Sequence, residues 1–460
     1  MKLYSFLVLL LLFSCGVKAQ RKPNFIVILT DDQRFDAVRA NGNQTIHTPN
    51  LDRLFRQGKR FTNAHVVFAL CSPSRAAILT GRYGSANGVL ELDSKLNPGE
   101  KTIANYLKEQ GYYTGVSGKW HVDQSPQALG FDFATTFYSN GTYHGRKIND
   151  QGNMVQPDEH CDAYCARRSL DFLQMAAGKK EPFFLFHNTQ LPHMDDQMEW
   201  PAHDTTRAKY QASAMPVAAN KDDDLSTKPE YLKTVRNRTQ ASVYGYPNKE
   251  KIQAHTLDYY SVITEMDAFI GSILKKVDEL GIAESTYLIF LSDNGWMLGD
   301  HGFTSKVLPY QPSTHVPMCV VGPGVAPSVN TSLVLNIDVA PTLMDLAGMK
   351  VPAAMHGKII KSILTGKQNG VRSFFVYEGL GRYGGAKPNL TVISEKYRYI
   401  VTYEDEKLDQ VNFRELYDQK ADPGEMHNLM NSSRYVSEVK RFEKAIENHL
   451  KEVVRPARSQ

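Results

Sequence analysis

Uninterrupted apolar runs recur along the chain and are separated by segments with helical periodicity. Such runs are typical of strands buried on both faces of a parallel sheet. They cover residues 24–30, 183–186, 287–291, 316–321 and 374–377. Helical patterns cover residues 49–54, 102–110 and 259–280. Because strands and helices alternate, we expect an α/β fold: a large mixed, mostly parallel sheet with helices on both faces.

The pattern changes after about residue 370. Short strands with turns are predicted at 390–393, 397–403 and 413–417, and a terminal amphipathic helix is predicted at 436–454. We therefore expect a smaller α+β subdomain with a small antiparallel sheet over residues 371–460, after a larger domain over residues 20–370.

The segment 202–251 is polar, contains Asp222-Asp223-Asp224 and has few apolar anchors. This composition predicts a long surface excursion, either a solvated loop or an insertion that faces a substrate.

Residues 1–19 are typical of a secretory signal peptide. Lys2 precedes the apolar run from Phe6 to Phe13, which is too short to span a membrane. Leu12-Phe13-Ser14-Cys15-Gly16 resembles a bacterial lipobox and would place a lipid on Cys15, whereas Val17-Lys18-Ala19 resembles an ordinary cleavage site. Either way we expect an exported chain: periplasmic, a lipoprotein of the outer membrane or cell surface, or secreted. No later apolar run reaches ~18 residues, so no transmembrane span is expected.

Composition excludes several classes of protein. Of 460 residues, 42% are hydrophobic and 22% charged, which indicates a globular protein rather than a fibrous or disordered one. The 53 basic and 49 acidic residues leave a net charge of +4, too small for a dedicated nucleic-acid-binding protein. Five cysteines are too few for a disulfide-based scaffold.

Polar side chains with oxygen atoms follow two of the predicted strands. Asp31 and Asp32 follow the first, and Asp293 and Asn294 follow the third. Ligand sites in open α/β sheets lie beyond the carboxyl ends of the strands. Three carboxylates and an amide oxygen suit Ca²⁺ or Mg²⁺, and the set lacks the His and thiolate ligands typical of Zn²⁺. The sequence therefore predicts a site for a hard divalent cation.

The most specific motif is Cys71-Ser72-Pro73-Ser74-Arg75, which continues as Ala-Ala-Ile-Leu-Thr-Gly-Arg to Arg82. The Cys-x-Pro-x-Arg core and its Leu-Thr-Gly-Arg tail resemble the signature of the formylglycine-dependent sulfatases of the alkaline phosphatase superfamily. The resemblance covers about residues 23–430. Within the family, the chain resembles exported bacterial polysaccharide sulfatases. Further segments resemble the family in the expected order: Asp31-Asp32, Gly118-Lys119-Trp120-His121, Pro192-His193, Asp293-Asn294-Gly295, Gly299-Asp300-His301-Gly302, Lys306, Glu415-Leu416-Tyr417-Asp418, Asp422-Pro423 and Asn428-Leu429.

The resemblance implies an alkaline-phosphatase-like fold and hydrolysis of sulfate esters. In that family a maturation enzyme converts the cysteine, here Cys71, to formylglycine (3-oxoalanine). One hydroxyl of the hydrated aldehyde would attack sulfur, with an acidic residue of the metal shell drawing off its proton, and would form a covalent sulfo-enzyme intermediate; this divides a difficult displacement into two easier steps. His121 would deprotonate the second hydroxyl to expel sulfate, and His193, with Lys306, would protonate the leaving alcohol.

A sulfate ester carries a negative charge that repels nucleophiles, so the site must surround the sulfuryl oxygens with positive charge. The resemblance assigns this role to Arg75, Lys119, Lys306 and a Ca²⁺ ion. The ion would be held by Asp31, Asp32, Asp293 and Asn294, with the residue-71 side chain and a sulfate oxygen completing its shell.

Three departures from the family pattern concern the shape of the substrate pocket: Pro309-Tyr310-Gln311 instead of a Tyr-Glu context, His315 instead of Arg, and His356-Gly357 instead of Asp-Gly. His255 and Arg382 are candidate substrate-binding residues, the latter in the Gly- and Tyr-rich stretch from Tyr377 to Gly385.

The remaining cysteines carry weaker signals. Cys161 and Cys165, with His160, form an incomplete set of metal ligands. A local disulfide is the expected alternative, and two free thiols are the other. Cys319 lies inside an apolar run, which predicts that its side chain packs in the core.

We expect a sulfated carbohydrate as substrate: a glycosaminoglycan, or an algal polymer such as ulvan, carrageenan or fucoidan. This expectation rests on analogy with exported bacterial sulfatases. Two alternatives are open. A formylglycine-dependent phosphodiester or phosphonate monoester hydrolase would share the nucleophile and the metal. A non-catalytic glycan-binding surface protein would keep Cys71 unconverted and would not need the full set of polar residues.

Overall fold

The computed structural model describes residues 22–458, so the predicted signal peptide with its lipobox at Cys15 lies outside the described residues. The strands are β1 (Asn24–Thr30), β2 (Lys59–Phe61), β3 (Ala64–His65), β4 (Tyr113–Lys119), β5 (Phe133–Phe137), β6 (Ile148–Asp150), β7 (Asn153–Val155), β8 (Phe183–Asn188), β9 (Thr286–Ser292), β10 (Met297–Leu298), β11 (Thr304–Ser305), β12 (Met318–Val321), β13 (Ser328–Asn330), β14 (Val334–Leu335), β15 (Phe374–Gly379), β16 (Asn389–Ser394), β17 (Tyr397–Tyr403) and β18 (Val411–Asp418). The α-helices are α1 (Pro49–Gln57), α2 (Cys71–Thr80), α3 (Gly84–Asn87), α4 (Ile103–Glu109), α5 (Cys161–Ala177), α6 (Asp204–Arg207), α7 (Arg236–Val243), α8 (Lys249–Glu279), α9 (Gln311–Thr314), α10 (Val339–Leu346), α11 (Lys361–Leu364), α12 (Val436–His449) and α13 (Arg455–Arg458). Between residues 22 and 458, none of these helices has the length and apolar character that crossing a membrane requires.

Ten strands form one sheet in the order β13-β2-β12-β9-β1-β8-β4-β5-β6-β7. The five central strands, from β9 to β5, run parallel to one another. Antiparallel pairing appears only outside them within this sheet, where β12 pairs with β9 and with β2, and β6 pairs with β5 and with β7. The prediction of a large mixed, mostly parallel sheet is confirmed.

The central strand β1 explains why the apolar runs are continuous. Phe25, Val27 and Leu29 pack into one core cluster, whereas Ile26 and Ile28 pack into another. Successive side chains of a strand point to opposite faces, so both faces of this sheet are covered. Helices α2, α4 and α10 contribute to the first cluster, and α1, α5 and α8 contribute to the second.

The C-terminal strands form a separate four-stranded antiparallel sheet in the order β15-β16-β17-β18. Helix α12 covers this sheet, with the rings of Phe442 and Tyr399 stacked at a centroid distance of 6.0 Å. The predicted α+β subdomain is confirmed. The predicted terminal helix is α-helical as far as His449 and continues as one π-helical turn, Leu450–Val454.

The segment 202–251 is not a solvated loop, which corrects one of the two expectations for it. Buried side chains anchor it, among them Tyr210, Leu232 and Tyr246. Asp223, the middle residue of the acidic run, is buried 2.7 Å from His301 Nδ1. Helix α8 also starts ten residues before the predicted position, because the Asn248 side chain caps it by accepting hydrogen bonds from two backbone N–H groups.

The predicted disulfide between Cys161 and Cys165 is wrong, since both are free thiols in the structure. They lie one helical turn apart at the start of α5 and pack with Phe137 and Ile148 in a small apolar cluster. Burial raises the pKa of both thiols well above the ordinary value. Cys319 is fully buried, and its predicted place in the core is confirmed.

Candidate active site

The carboxyl ends of β1 and β9 bring the four predicted cation ligands together. The two strands are parallel neighbours, paired in register to their last residues. Side-chain oxygens of Asp31, Asp32 and Asp293 all lie within 4.8 Å of one another. Asn294 Nδ2 donates to Asp32 Oδ1 at 2.6 Å. All four side chains are buried, so the charges of the three carboxylates are poorly screened by water.

This donor set fits a hard divalent cation such as Ca²⁺. Burial, followed by the charges of Asp31 and Asp293, raises the pKa of Asp32 to about 7. Burial and the charge of Asp31 likewise raise the pKa of Asp293. Asp32 Oδ2 and Asn294 Oδ1 are buried and have no hydrogen-bond partner among the residues that the structure describes. A cation would coordinate such oxygens and relieve the repulsion between the carboxylates.

Cys71 is the first residue of α2, and its side chain is buried. The backbone N–H groups and the dipole at this end of a helix favour a bound anion. Arg75 follows one turn later on the same side of the helix. Its Nε donates to Asp293 Oδ2 at 2.9 Å, and its Nη1 donates to the Lys119 carbonyl oxygen at 2.8 Å. The motif therefore connects the cysteine to the carboxylate cluster.

Two lysines flank the thiol. Lys306 Nζ lies 2.7 Å from Cys71 Sγ and pairs with Asp32. Lys119 Nζ lies 3.9 Å from the same sulfur and pairs with Asp31. Burial by itself would raise the pKa of Asp31, but Lys119 and the other cations nearby hold it well below the ordinary value. Three carboxylates thus face three cations, and a divalent ion would leave excess positive charge for an anionic substrate.

The Cys71 thiol is not a reactive thiolate. Burial, followed by the charge of Asp31, raises its pKa to about 12, despite the two lysines. The thiolate is the nucleophilic form of cysteine, so unmodified Cys71 is a poor nucleophile at neutral pH. This property suits a residue that is converted before it reacts.

The end of β4 places Lys119 and His121 at the same edge of the sheet. Gly118 has a φ of 108°, and a Cβ there would lie 1.6 Å from the carbonyl oxygen of Asn188. Only glycine allows this approach of β4 to β8. Burial, followed by Lys119, lowers the pKa of His121 to about 2, and its ring packs edge-on against Tyr138 at 5.5 Å. His121 is therefore neutral at ordinary pH.

His193 lies beside the carboxylates, with Nε2 3.6 Å from Asp32 Oδ2. Its Nδ1 donates to the Met194 carbonyl oxygen at 2.7 Å, which leaves Nε2 available for proton transfer. Burial, followed by Lys119, lowers the pKa of His193 to about 3. The negative charge of a substrate would offset the cations and favour the protonated imidazole.

The two candidate substrate-binding residues lie apart from the charged cluster. The ring of His255 packs against Trp200 at 5.9 Å, and the ring of Trp200 packs against that of Trp296 at 6.2 Å. Since Trp296 contacts His193 at 6.2 Å, two indole rings separate the histidines. Arg382 is exposed and pairs with Glu406. A role in substrate binding stays a prediction for both residues.

Trp296 is a site residue that the motifs did not identify. Its ring centroid lies 5.9 Å from Lys306 Nζ, and its edge faces the ring of His193. The sequence offered only its position two residues after Asn294. An indole ring at this distance attracts the Lys306 ammonium group through a cation–π interaction.

Among the departures from the family pattern, Gln311 and His315 line a pocket of 210 Å³ together with Arg34 and Asp300. None of the clustered catalytic candidates lines this pocket, so these departures alter a neighbouring surface rather than the charged centre.

A mostly parallel α/β sheet whose carboxyl edge combines a helix-terminal cysteine with three carboxylates and three cations defines a hydrolase of anionic esters with the alkaline-phosphatase-like fold. The family model described as Sulfatase matches residues 23–349. A second, described as N-sulphoglucosamine sulphohydrolase, C-terminal, matches residues 299–452. The chain belongs to the sulfatase family, as its motifs predicted.

Several characterised proteins are similar over nearly the whole chain. The N-acetylglucosamine-6-O-sulfatase of Bacteroides thetaiotaomicron is 26% identical over 496 residues, with 94% of this chain and 87% of that protein covered. An ulvan-active sulfatase of Formosa agariphila is 26% identical over 432 residues, with 90% and 78% covered. A solved structure in complex with its substrate D-glucosamine-2-N,6-O-disulfate superimposes with a TM-score of 0.84 at 24% identity, covering 94% of this chain and 98% of that one. This superposition confirms the predicted fold.

Proposed function

We propose that this sulfatase is exported and hydrolyses sulfate esters on a carbohydrate, either a glycosaminoglycan or an algal polysaccharide such as ulvan. The observation that carries the proposal is the buried Cys71, which lies between Lys306 and Asp31 at the start of α2. Two relatives named for carbohydrate substrates support the substrate class. The signal-peptide pattern of residues 1–19 supports export, with or without a lipid on Cys15.

Residue 71 would become nucleophilic after a maturation enzyme converts Cys71 to formylglycine. This group would supply a hydrated aldehyde, an oxygen nucleophile with a second hydroxyl through which the product sulfate can be expelled. Lys306 and Lys119, at 2.7 and 3.9 Å from the residue-71 side chain, would bind and orient the sulfuryl oxygens. Arg75 holds the cluster together through Asp293.

Asp31, Asp32, Asp293 and Asn294 would hold Ca²⁺, which supplies positive charge beside the sulfuryl group. His121 would accept the proton that must leave residue 71 during release of sulfate. Burial and Lys119 lower its pKa, and the negative charge of the bound sulfate would offset them and favour the protonated imidazole. His193 would give its Nε2 proton to the leaving alcohol, and Lys306 would assist it.

We also propose that the catalytic domain spans residues 20–370 and the C-terminal subdomain residues 371–460.

Release of sulfate from a panel of glycosaminoglycan and algal oligosaccharides tests the proposal. The enzyme is produced together with a maturation enzyme, the mass of the peptide that contains residue 71 is measured, and sulfate is quantified by ion chromatography. We expect release from at least one carbohydrate class and none from Cys71→Ala. Faster turnover of phosphate diesters or phosphonate monoesters than of any sulfate ester would favour the related hydrolase. An unconverted Cys71 in protein from the native host would favour a glycan-binding protein.

Replacing His193 by alanine is expected to slow the hydrolysis of sugar sulfates by roughly 10²–10³-fold and that of an activated aryl sulfate by less than ~10-fold. An alkoxide needs a proton in order to leave, whereas an activated phenolate does not. The measurement compares kcat for the two substrates. His187→Ala is the matched control, because this histidine is fully buried on β8 with its Nδ1 2.9 Å from Ser169 Oγ, and it should affect both substrates equally. Equal losses in His193→Ala would contradict the general-acid role.

A further inference from the structure

Lys306 lies on a backbone segment that is unfavourable by itself. Ser305 has a φ of 70° and Val307 a φ of 81°, so the residues on both sides of Lys306 are left-handed. A β-branched residue such as valine rarely adopts this conformation. Such geometry persists only where the surrounding structure imposes it. The contacts that hold this segment therefore decide where the Lys306 ammonium group lies.

The hydroxyl of Tyr377 holds the segment next to the nucleophile motif. It donates a hydrogen bond to the Val307 carbonyl oxygen at 2.7 Å and accepts one from the Ala69 N–H at 3.2 Å. The Val307 N–H donates in turn to the Ala69 carbonyl oxygen at 3.0 Å. A tyrosine hydroxyl has one proton to donate and can also accept, so both of these contacts are satisfied. Ala69 lies two residues before Cys71, and Val307 lies one residue after Lys306.

Tyr377 belongs to the C-terminal sheet rather than to the large one. It lies on β15, its side chain is fully buried, and its ring packs edge-on against Phe68 at 5.9 Å. The N–H of the next residue, Glu378, donates to the Val67 carbonyl oxygen at 2.9 Å. Burial raises the pKa of Tyr377 above the ordinary value, so the hydroxyl keeps the proton that it donates. Strand β15 is thus hydrogen-bonded to the segment that leads into Cys71.

We propose that Tyr377 is a positioning residue for catalysis, through which the C-terminal subdomain holds Lys306 against residue 71. The proposal rests on the proposed function, because Lys306 matters only if residue 71 reacts with a sulfate ester. It assigns the C-terminal sheet a part in the chemistry, in addition to any part in binding the substrate. A second side chain also holds the segment that carries Lys306: Asn237 Nδ2 donates to the Thr304 and Lys306 carbonyl oxygens at 2.7 and 2.8 Å. Loss of Tyr377 alone should therefore weaken activity rather than abolish it.

The test compares Tyr377→Phe with Tyr399→Phe. Each variant removes one hydroxyl from a buried tyrosine of the same sheet, but the Tyr399 hydroxyl lies 3.4 Å from Glu443, on α12. Activity is normalised to the fraction of residue 71 that is converted. We expect Tyr377→Phe to lower kcat for an aryl sulfate by ~10- to 100-fold with KM changed less than ~3-fold, since small displacements of catalytic groups have effects of this size. Tyr399→Phe should retain full kcat, and equal kcat values in the two variants would overturn the proposal.

A double-mutant cycle separates positioning from general stabilisation. In a Lys306→Ala background, Tyr377→Phe should cost less than ~3-fold, because the group that it positions is gone. The same 10- to 100-fold loss in both backgrounds would overturn the proposal. A crystal structure of Tyr377→Phe provides a readout besides activity: the distance from Lys306 Nζ to the residue-71 side chain should be longer than in wild-type protein crystallised under the same conditions. An unchanged distance would count against the proposal.

Val307→Gly tests the contact in a second way if Tyr377→Phe folds poorly. Glycine adopts a φ of 81° without strain, so it should reduce the cost of losing the hydroxyl. The double variant Tyr377→Phe/Val307→Gly is expected to have a kcat at least ~3-fold above that of Tyr377→Phe. Where Tyr377→Phe cannot be assayed, the double variant should instead have a kcat within ~3-fold of that of Val307→Gly. Failure of the comparison that applies would overturn the proposal. Wild-type protein without sulfatase activity would instead contradict the proposed function, so the two failures are distinguishable.

Discussion

Replacement of Cys71 by alanine is expected to reduce sulfate release by at least ~10⁴-fold while leaving the fold intact. Loss of a covalent nucleophile commonly has an effect of this size, because the remaining groups can only bind and polarise the substrate. Alanine fits where cysteine stood, and residue 71 is the first residue of α2, where its side chain supports no backbone hydrogen bond. The free energy of unfolding should therefore change little.

The measurement is kcat on an aryl sulfate, with the melting temperature as the test of folding. Cys319→Ala is the matched control, since Cys319 is also fully buried but lies on β12 in the core. It should lose some stability, because a small cavity forms, and keep its turnover. Both variants should therefore lose at most a small amount of stability, and only Cys71→Ala should lose its turnover. Turnover retained by Cys71→Ala would rule out residue 71 as the nucleophile.

The large sheet was predictable because burial on both faces leaves a strong signal. The run 24–30 has no charged residue and became β1 at its predicted bounds. The segment 202–251 was not predictable, because its fold depends on contacts distant in sequence. Asp223 reads as part of an exposed acidic run, yet it lies against Lys228 and His301. Lys228 lies five residues away in the sequence, but the contact with His301 crosses the fold and leaves no local pattern.

The candidate site shows the same division. Asp31, Asp293 and Cys71 were found from strand ends and a motif, because their chemistry needs fixed neighbours in the sequence. Tyr377 was predicted at the end of the apolar run 374–377 and at the start of a Gly- and Tyr-rich stretch, and it does lie in a strand, but nothing in the sequence indicated that its hydroxyl contacts Ala69 and Val307. Those partners are backbone groups that any residue could supply. A residue whose partners are particular side chains can thus be recognised from a motif. A residue whose partners are backbone groups can be identified only from the structure.

Removal of the divalent cation is expected to lower activity at least ~100-fold, and Ca²⁺ should restore it. A metal that polarises the reacting group contributes several kcal/mol to the transition state. A ligand that binds only the folded protein also stabilises it, by about 2.7 kcal/mol at a concentration one hundred times its Kd. The measurements are turnover and melting temperature after prolonged EDTA treatment, with and without added Ca²⁺. Full activity and an unshifted melting temperature in fully stripped protein would exclude this metal site.

The pH dependence of that stabilisation provides a sharper test. In protein without the cation, burial and the neighbouring carboxylates raise the pKa of Asp32 to about 7, above its ordinary value of 3.8. Folded protein then holds a proton that unfolded protein has lost, so Asp32 makes stripped protein progressively less stable relative to loaded protein as pH rises from about 4 to 7. Buried histidines away from the site, such as His160 and His187, have lowered pKa values and act in the opposite sense, but they do so in both forms. Bound Ca²⁺ keeps Asp32 ionised, and the melting temperatures of loaded and stripped protein should therefore diverge over this range.

Asp293→Asn should abolish the divergence. Asp267→Asn should preserve it, because that buried carboxylate accepts hydrogen bonds from the Asn50 and Leu51 N–H groups at the start of α1, away from the cluster. A gap that stays constant between pH 4 and 7 would mean that the cation does not bind between these carboxylates.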